Sequence, residues 1–373
     1  MAQPVNAPLR PALPPPLTTC GGQNLRAKKE RSGTQPDALI AETPRTLLDF
    51  MSMEPRSMIC RKTVFILGAG SSLSYGFPLG RGLVFAIDWT ISTPNPGANT
   101  LLKILRQHDL SELTTFKEQL RTSNLSIDAY LESHPEHLEM GKAAIATVLI
   151  PLENPGRLQR SAGGLEWYEY LFQQMGMKRD RFEESAKNLS IITFNYDRSL
   201  DYFLYRSAVA AFGETFAINV MKEIPIIHVY GQLGKPIFFT KCDQDPTGGF
   251  RRDYTPDLIE AIVSTCVYEI KIMPERSDDS REFILARDLL SKADVLCFLG
   301  FGYDPTNFHR LQVSEHFRGG AIYCSIVGLA HDEVRRASML FGSWRQQSAG
   351  RDVQIGTMHS SALEFLQWYP IFD

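Results

Sequence analysis

Residues 63–74 read Thr63-Val64-Phe65-Ile66-Leu67-Gly68-Ala69-Gly70-Ser71-Ser72-Leu73-Ser74, a short apolar run that ends in glycine. Apolar, partly β-branched runs of this length are typical of buried strands in parallel sheets, and the serines predict the start of a helix. Glycines at such a turn let the backbone approach a pyrophosphate, and the helix adds free N–H groups at its positive dipole end. We therefore expect the phosphates of a dinucleotide to lie over Gly68, Ala69, Gly70 and Ser71.

This turn also has a purely structural interpretation. Leu73 stands where the third glycine of the Gly-x-Gly-x-x-Gly fingerprint belongs. Many strand-to-helix turns contain glycine without binding a ligand. The turn alone therefore favours neither interpretation, and other strand ends have to be compared with it.

Further apolar runs continue the pattern along the chain. Four have strand character, at Ser190–Phe194, Pro225–Val229, Val295–Leu299 and Ile322–Val327. Helical stretches such as Arg281 to Lys292 separate some of them, and strands alternating with helices predict a parallel sheet. Between about residues 82 and 187 apolar residues recur at helical spacing. The predicted fold class is α/β, a Rossmann-like doubly wound parallel sheet with an inserted helical subdomain.

The first 58 residues differ in composition from the rest. They are rich in Pro, Gly, Thr and Ser and show no hydrophobic period, so we expect a disordered leader. Met51, Met53 and Met58 stand just before the first strand, and the alternative is that translation naturally starts there. The domain prediction is a leader over residues 1–58 and one Rossmann-type domain over residues 59–373, with its helical insertion at about 82–187.

Composition argues against several specialised classes. Hydrophobic residues make up 43% of the chain and charged residues 22%, as in ordinary globular proteins. The net charge of −3 predicts no direct nucleic-acid binding and no attraction to an anionic membrane. The six cysteines form no Cys-x-x-Cys pair, so we expect no metal site and no disulfide framework. No apolar run approaches the ~20 residues that span a bilayer, which predicts a cytoplasmic protein.

A second motif, Thr193-Phe194-Asn195-Tyr196-Asp197, ends a predicted strand in polar side chains. Ligands of open α/β sheets bind at the carboxyl ends of the strands, so Asn195 and Asp197 are candidates to face a cleft. The alternative is that both residues cap the helix predicted from Ser199 to Tyr205, which is a common use of Asn and Asp.

A third motif, Ile226-Ile227-His228-Val229-Tyr230-Gly231, again carries a strand into glycine. Because side chains alternate along a strand, His228 and Tyr230 are expected on one face, pointing towards the same cleft, and Gly231 is a further binding candidate. A histidine there is suited to act as a general base near neutral pH. A structural role is the usual explanation for a single histidine.

A fourth motif runs from Phe298 to Asn307 and reads Phe-Leu-Gly-Phe-Gly-Tyr-Asp-Pro-Thr-Asn. Gly300 and Gly302 permit close approach of a ribose or adenine, and Asp304 or Asn307 can hydrogen-bond to hydroxyl groups. The alternative is an ordinary turn built on glycine and proline. Four strand ends of the same character together favour a ligand site.

In this order, the four motifs resemble the sirtuin-like superfamily, specifically the bacterial sirtuin-like NAD hydrolases of antiphage defence systems. The resemblance spans Thr63 to Val327 and includes Ser126-Ile127-Asp128-Ala129-Tyr130-Leu131-Glu132, which is similar to the family's helical insertion. It implies that NAD is the substrate, that no cofactor or metal is required, and that the products are nicotinamide and ADP-ribose. It further implies a defence effector that depletes NAD, a homo-oligomer and a companion ATPase or nuclease.

The resemblance also implies roles for individual residues. The family's asparagine that matches Asn195 lies by the nicotinamide ribose, and the histidine of a His-Gly pair serves as catalytic base or ribose contact. Here Tyr230-Gly231 occupies the His-Gly position, and His228 is the candidate replacement base. Asp197 is expected to hold the loop or to stabilise positive charge. The bond would break through an oxocarbenium-like state, as in other glycoside hydrolyses.

Three other interpretations compete with hydrolysis. A protein deacylase of the sirtuin type carries a zinc module of four cysteines, which this chain lacks. A non-catalytic sensor or scaffold that binds NAD or another nucleotide and acts through a partner protein is favoured by Tyr230. A Rossmann-like domain that binds no dinucleotide would need a separate explanation for each of the four strand ends.

Overall fold

The computed structural model describes residues 58–105, 110–158, 165–238, 249–272, 280–347, 352–356 and 361–372. The predicted disordered leader, up to residue 57, and the alternative translation starts at Met51 and Met53 lie outside these residues. The predicted Rossmann-type domain, residues 59–373, begins within the described residues.

A parallel sheet forms the centre of the described structure. The described residues contain eight strands, which are β1 (Thr63–Leu67), β2 (Leu189–Thr193), β3 (Ile226–His228), β4 (Lys235–Pro236), β5 (Arg251–Arg252), β6 (Val295–Leu299), β7 (Ala321–Ser325) and β8 (Asp352–Gly356). Six of them join one sheet in the order β3-β2-β1-β6-β7-β8, and every neighbouring pair is parallel. The short β4 and β5 form a separate ladder.

The direction of the strand order reverses between β1 and β6. From β1 the chain builds β2 and β3 to one side, and then β6, β7 and β8 to the other. This is the Rossmann order, in which ligands bind in a crevice outside the carboxyl ends of the strands where the order reverses. In a sheet of this order, right-handed crossovers, which are the general rule, put the helices of the two halves on opposite faces. The predicted α/β, doubly wound fold class is confirmed.

The strands lie where the apolar runs predict them. β1 and β6 have the predicted bounds, and all five residues of each are buried, as expected for central strands covered on both faces. The two-residue β4 and β5 are missing from the prediction, and so is β8, because its sequence, Asp-Val-Gln-Ile-Gly, alternates polar and apolar residues over only five positions. Such a weak pattern suits a strand at the edge of the sheet.

Fifteen α-helices lie in the described residues. They are α1 (Gly80–Ser92), α2 (Pro96–Ile104), α3 (Leu110–Ser123), α4 (Ile127–Ser133), α5 (Leu138–Leu149), α6 (Trp167–Gln174), α7 (Arg179–Asn188), α8 (Ser199–Phe212), α9 (Glu214–Glu223), α10 (Glu260–Glu269), α11 (Arg281–Lys292), α12 (Pro305–Leu311), α13 (Val313–His316), α14 (His331–Gln347) and α15 (Ala362–Trp368). The first seven lie between β1 and β2, which is the position of the predicted insertion. α5 is buried almost all round, because α1, α2 and α10 pack against it.

The turns after β1 and β6 approach one another so closely that only glycine fits. Gly300 has a φ of 59°, and a Cβ atom there would lie 2.0 Å from the backbone nitrogen of Ser71. Cβ atoms on Gly68 and Gly70 would lie 2.6 and 2.8 Å from backbone atoms of Gly300. The amides of Gly68 and Gly70 donate to the carbonyl oxygens of Leu299 and Gly300, at 3.1 and 3.0 Å. These glycines therefore join the two halves of the sheet where its order reverses.

The substitution Gly300→Ala is expected to lower the free energy of unfolding by about 2–6 kcal/mol. A left-handed backbone and a steric overlap each cost about 1–3 kcal/mol, and the alanine would suffer both. Urea unfolding measures the loss. The matched control is Gly320→Ala, whose added Cβ would have no heavy atom within 4 Å. Equal unfolding midpoints for the two variants would contradict this account of Gly300.

Candidate functional site

Asn195 lies just beyond the carboxyl end of β2 and reaches across to the turn after β1. Its side-chain nitrogen donates to the carbonyl oxygen of Gly68 at 3.1 Å and to the hydroxyl oxygens of Ser71 and Ser72 at 3.2 and 3.1 Å. Within the described part of the chain, no donor reaches the side-chain oxygen of Asn195. The amide is therefore anchored by its nitrogen, and its oxygen can accept a hydrogen bond from a ligand.

The helix predicted at the turn after β1 is a 3-10 helix, Ala69–Tyr75. The amide of Ser71 donates to the carbonyl oxygen of Gly68 at 2.9 Å, while the amides of Gly68 and Gly70 bond to the turn after β6. A phosphate at this turn must compete with these carbonyl oxygens. The binding roles of Gly68, Ala69, Gly70 and Ser71 stay predictions.

The inserted helices hold this turn in place. The indole nitrogen of Trp167, on α6, donates to the carbonyl oxygen of Ser71 at 2.7 Å. The backbone amide of Tyr168 donates to the hydroxyl of Tyr75 at 2.9 Å, and the rings of these two tyrosines stack. The insertion therefore fixes the position of the hydroxyl groups that Asn195 contacts.

His228 is buried with both ring nitrogens engaged. Its Nδ1 lies 3.0 Å from the carbonyl oxygen of Asn195, which can only accept, so Nδ1 carries a proton. Its Nε2 lies 3.4 Å from both carboxylate oxygens of Asp201. Burial lowers the pKa of His228, but Asp201, the Asn195 carbonyl and the charge of Asp197 together raise it above its ordinary value. The charged ring is favoured, and the role of His228 as a base stays a prediction.

Asp197 is buried against the start of α8. Its Oδ1 accepts a hydrogen bond from the backbone amide of Ser199 at 3.1 Å and another from the Ser199 hydroxyl. That hydroxyl lies 2.6 Å from the hydroxyl of Tyr168. Burial raises the pKa of Asp197, and the hydrogen bonds from Ser199 and Ser72 offset part of the rise. These contacts tie the loop after β2 to the start of α8, and the catalytic role of Asp197 stays a prediction.

Two predicted binding residues contact each other. The hydroxyl of Tyr230, beyond β3, donates to Oδ1 of Asn307 on α12. Nη1 of Arg310 lies 3.4 Å from the same hydroxyl, and its Nη2 pairs with Glu132 of α4 at 3.6 Å. In the sheet order, β2 and β1 lie between β3 and β6. The contact between Tyr230 and Asn307 therefore spans the carboxyl ends of those two strands.

The structure shows the local surroundings of three other predicted binding residues, Gly231, Asp304 and Gly302. Gly231 has a φ of 70°, and a Cβ there would lie 1.9 Å from the carbonyl oxygen of Glu269. Asp304 caps α12 by accepting hydrogen bonds from two backbone amides of its first turn, and Gly302 is exposed. No described contact joins any of the three to Asn195, and their binding roles stay predictions.

Sequence reasoning missed three residues that contact the candidate site residues at the carboxyl ends of the strands. They are Asp128, Asp201 and Ser72. The hydroxyl of Tyr196 donates to Oδ1 of Asp128, which lies in the first turn of α4. Burial raises the pKa of Asp128, and the hydrogen bond from Tyr196 offsets part of the rise. The sequence analysis singled out the stretch from Ser126 to Glu132, but its local sequence does not indicate which strand end it contacts.

A buried ion triad fixes the chain directly after Asp197. The fully buried carboxylate of Glu153 accepts from Nε and Nη2 of Arg198 at 2.9 and 2.6 Å, and also from Arg252. Charges leave water only at a high cost in free energy, which close pairing must offset. Loss of the Glu153 carboxylate would leave two buried guanidinium groups, so the triad specifies where this loop lies.

In the described ranges no group of three or more His, Cys, Asp or Glu side chains is arranged to hold a metal ion. None of the helices described is long and apolar enough to cross a membrane. A scan of the chain against protein-family models finds no match, and a search of the curated proteins finds none either. The geometry of the strand ends is therefore the basis for assigning a function.

The substitution Asp201→Asn is expected to destabilise the protein more at about pH 6 than at about pH 9. Because the pKa of His228 is raised, its charged pair with Asp201 contributes stability that is fully present below about pH 6.5 and is lost as the pH rises through the folded-state pKa. Breaking a buried pair costs up to about 3–5 kcal/mol.

Urea unfolding of the wild type and of Asp201→Asn at the two pH values measures the loss of stability caused by the substitution. Asp288→Asn is the control, because it removes an exposed partner of Lys292 and is expected to change little at either pH. An equal loss of stability at both pH values for Asp201→Asn would contradict the charged pair.

Proposed function

We propose that this protein binds NAD at the carboxyl ends of β1, β2 and β6 and hydrolyses its nicotinamide–ribose bond, releasing nicotinamide and ADP-ribose. The observation that carries the proposal is the hydrogen bonding of the Asn195 side chain. Its nitrogen is anchored to the turn after β1, and no described donor uses its oxygen. It lies beside the crevice where dinucleotides bind in sheets of this strand order.

The chemistry suits an uncharged, anchored amide. Nicotinamide in NAD is joined to ribose through a positively charged ring nitrogen, so it leaves as a neutral molecule and needs no general acid. Positive charge develops on the ribose as the bond breaks. The site must hold the ribose hydroxyls and admit a water molecule, and the oxygen of Asn195, which no described donor uses, would accept a hydrogen bond from either. Groups fixed before the reaction stabilise its transition state at little further cost.

The order of the four motifs, which resembles the sirtuin-like NAD hydrolases, supports the same function. The segment similar to that family's insertion reaches the strand ends through the contact of Asp128 with Tyr196. By the same resemblance we infer a cytoplasmic homo-oligomer that depletes NAD in antiphage defence beside a companion ATPase or nuclease. Neither a metal nor a further cofactor is part of the proposal.

A second candidate function is a sensor that binds NAD without cleaving it and acts through a partner protein. Two observations favour it. Tyr230 stands at the family's His-Gly position, and its hydroxyl donates a hydrogen bond to Asn307. Both ring nitrogens of His228 contact groups of the protein. A site with these contacts holds a nucleotide without offering an imidazole to it.

The substitution Asn195→Ala is expected to lower NAD turnover about 100-fold or more, since removing one fixed polar group from a transition-state site has effects of that size. Purified protein is incubated with NAD, and nicotinamide is followed by chromatography. The matched control is Asn188→Ala, because Asn188 is also buried and donates to the backbone carbonyl of Ile59 at 3.0 Å, before β1 and away from the strand ends.

Full turnover by Asn195→Ala would contradict the proposed site. Wild-type protein that binds NAD in calorimetry without releasing nicotinamide would support the sensor instead. Absence of both binding and turnover would contradict both functions.

A further inference from the structure

The proposed hydrolysis needs one proton acceptor and no proton donor. The oxygen of a water molecule bonds to C1′ of the ribose, the bond from C1′ to the nicotinamide nitrogen breaks, and its electron pair leaves with neutral nicotinamide. One proton of the water is left over. A side chain that accepts this proton and later passes it to solvent balances the reaction.

Most ionisable side chains near the strand ends are already committed to the protein. His228 and Asp201 are 6% and 4% exposed and face each other. Asp197 is 7% exposed and accepts hydrogen bonds from Ser199. Asp304 is exposed but caps α12. Each of these side chains is already paired with, or caps, another part of the fold.

Asp128 differs from all of them in origin, and from His228, Asp201 and Asp197 also in exposure. It is only partly buried, and it comes from α4 of the insertion, so it approaches the strand ends from outside the sheet. The donors described for it are its own backbone amide and the hydroxyl of Tyr196, the residue directly after Asn195. Its negative charge also acts on the hydroxyl of Tyr230: burial raises the pKa of Tyr230, and the charge of Asp128 raises it further.

We propose that Asp128 accepts the proton of the water molecule that cleaves NAD, with Tyr196 as the residue that positions its carboxylate; this inference rests on the proposed function. The role predicted for His228 then passes to a residue from the insertion. Burial moves the pKa of Asp128 towards neutrality, where a general base is most effective. Because Asp128 is only partly buried, solvent can take up the proton after each turnover.

The substitution Asp128→Asn is expected to lower turnover at least about 100-fold, since general-base catalysis contributes about 10²–10⁴ in rate. NAD affinity, measured by calorimetry, is expected to stay within about threefold, because the lost interaction is made in the transition state. Asp128→Glu, which keeps a carboxylate one methylene further out, is expected to retain partial turnover. Asp294→Asn is the control, because Asp294 precedes β6 and bonds to the backbone of Lys62, away from the strand ends.

Chemical rescue separates a proton acceptor from a structural carboxylate. Added formate is expected to restore the turnover of Asp128→Ala at least about tenfold, because a small carboxylate can occupy the vacated space and accept the proton. A purely structural loss would not respond to formate. Thermal unfolding of each variant shows that it is folded, and Asp128→Glu carries the test if the shorter variants unfold.

The possible failures are distinguishable. If wild-type protein releases no nicotinamide from NAD, the proposed function fails and this inference fails with it. If the wild type is active and Asp128→Asn keeps full turnover, only this inference is overturned. If Asp128→Asn is active and His228→Gln is not, the proton acceptor is His228.

Discussion

The close packing of backbone between the turns after β1 and β6 is the constraint on which the rest of the site depends. Gly68, Gly70 and Gly300 let the two turns meet without side chains between them, at the point where the strand order reverses. This contact sets the position of the Gly68 carbonyl and of Ser71, which are partners of Asn195. The same glycines that suggest a phosphate site in the sequence therefore have a packing role that is independent of any ligand.

Buried polar groups then hold the loop after β2 against that turn. Asp197 is bonded to Ser199, His228 is paired with Asp201, and Arg198 belongs to the Glu153 triad. Burying these charges is costly in free energy, and their close pairing offsets that cost only when the loop takes this one conformation. With the loop held in this way, Asn195 keeps a fixed orientation, and Tyr196, the next residue, bonds to Asp128 of the insertion.

The site was only partly predictable, and Tyr230 and His228 show the reason. Alternation along a strand predicts that both side chains lie on one face. β3, however, ends at His228, so Tyr230 stands in the following turn and alternation no longer applies. His228 turns to Asp201, and Tyr230 turns to Asn307. Strand-end motifs locate the edge of the sheet that carries the polar groups, but they do not say which groups pair there.

The sequence by itself determined the fold class and the positions of β1 and β6, because apolar runs that end in glycine act locally. It also determined that polar residues gather at the carboxyl ends of the strands. Only the tertiary structure decided that Gly300 meets Ser71, that His228 meets Asp201 and that Asp128 meets Tyr196. Each of these contacts joins segments distant in the chain, and their meeting depends on strand order and on the packing of the inserted helices, which no local pattern encodes.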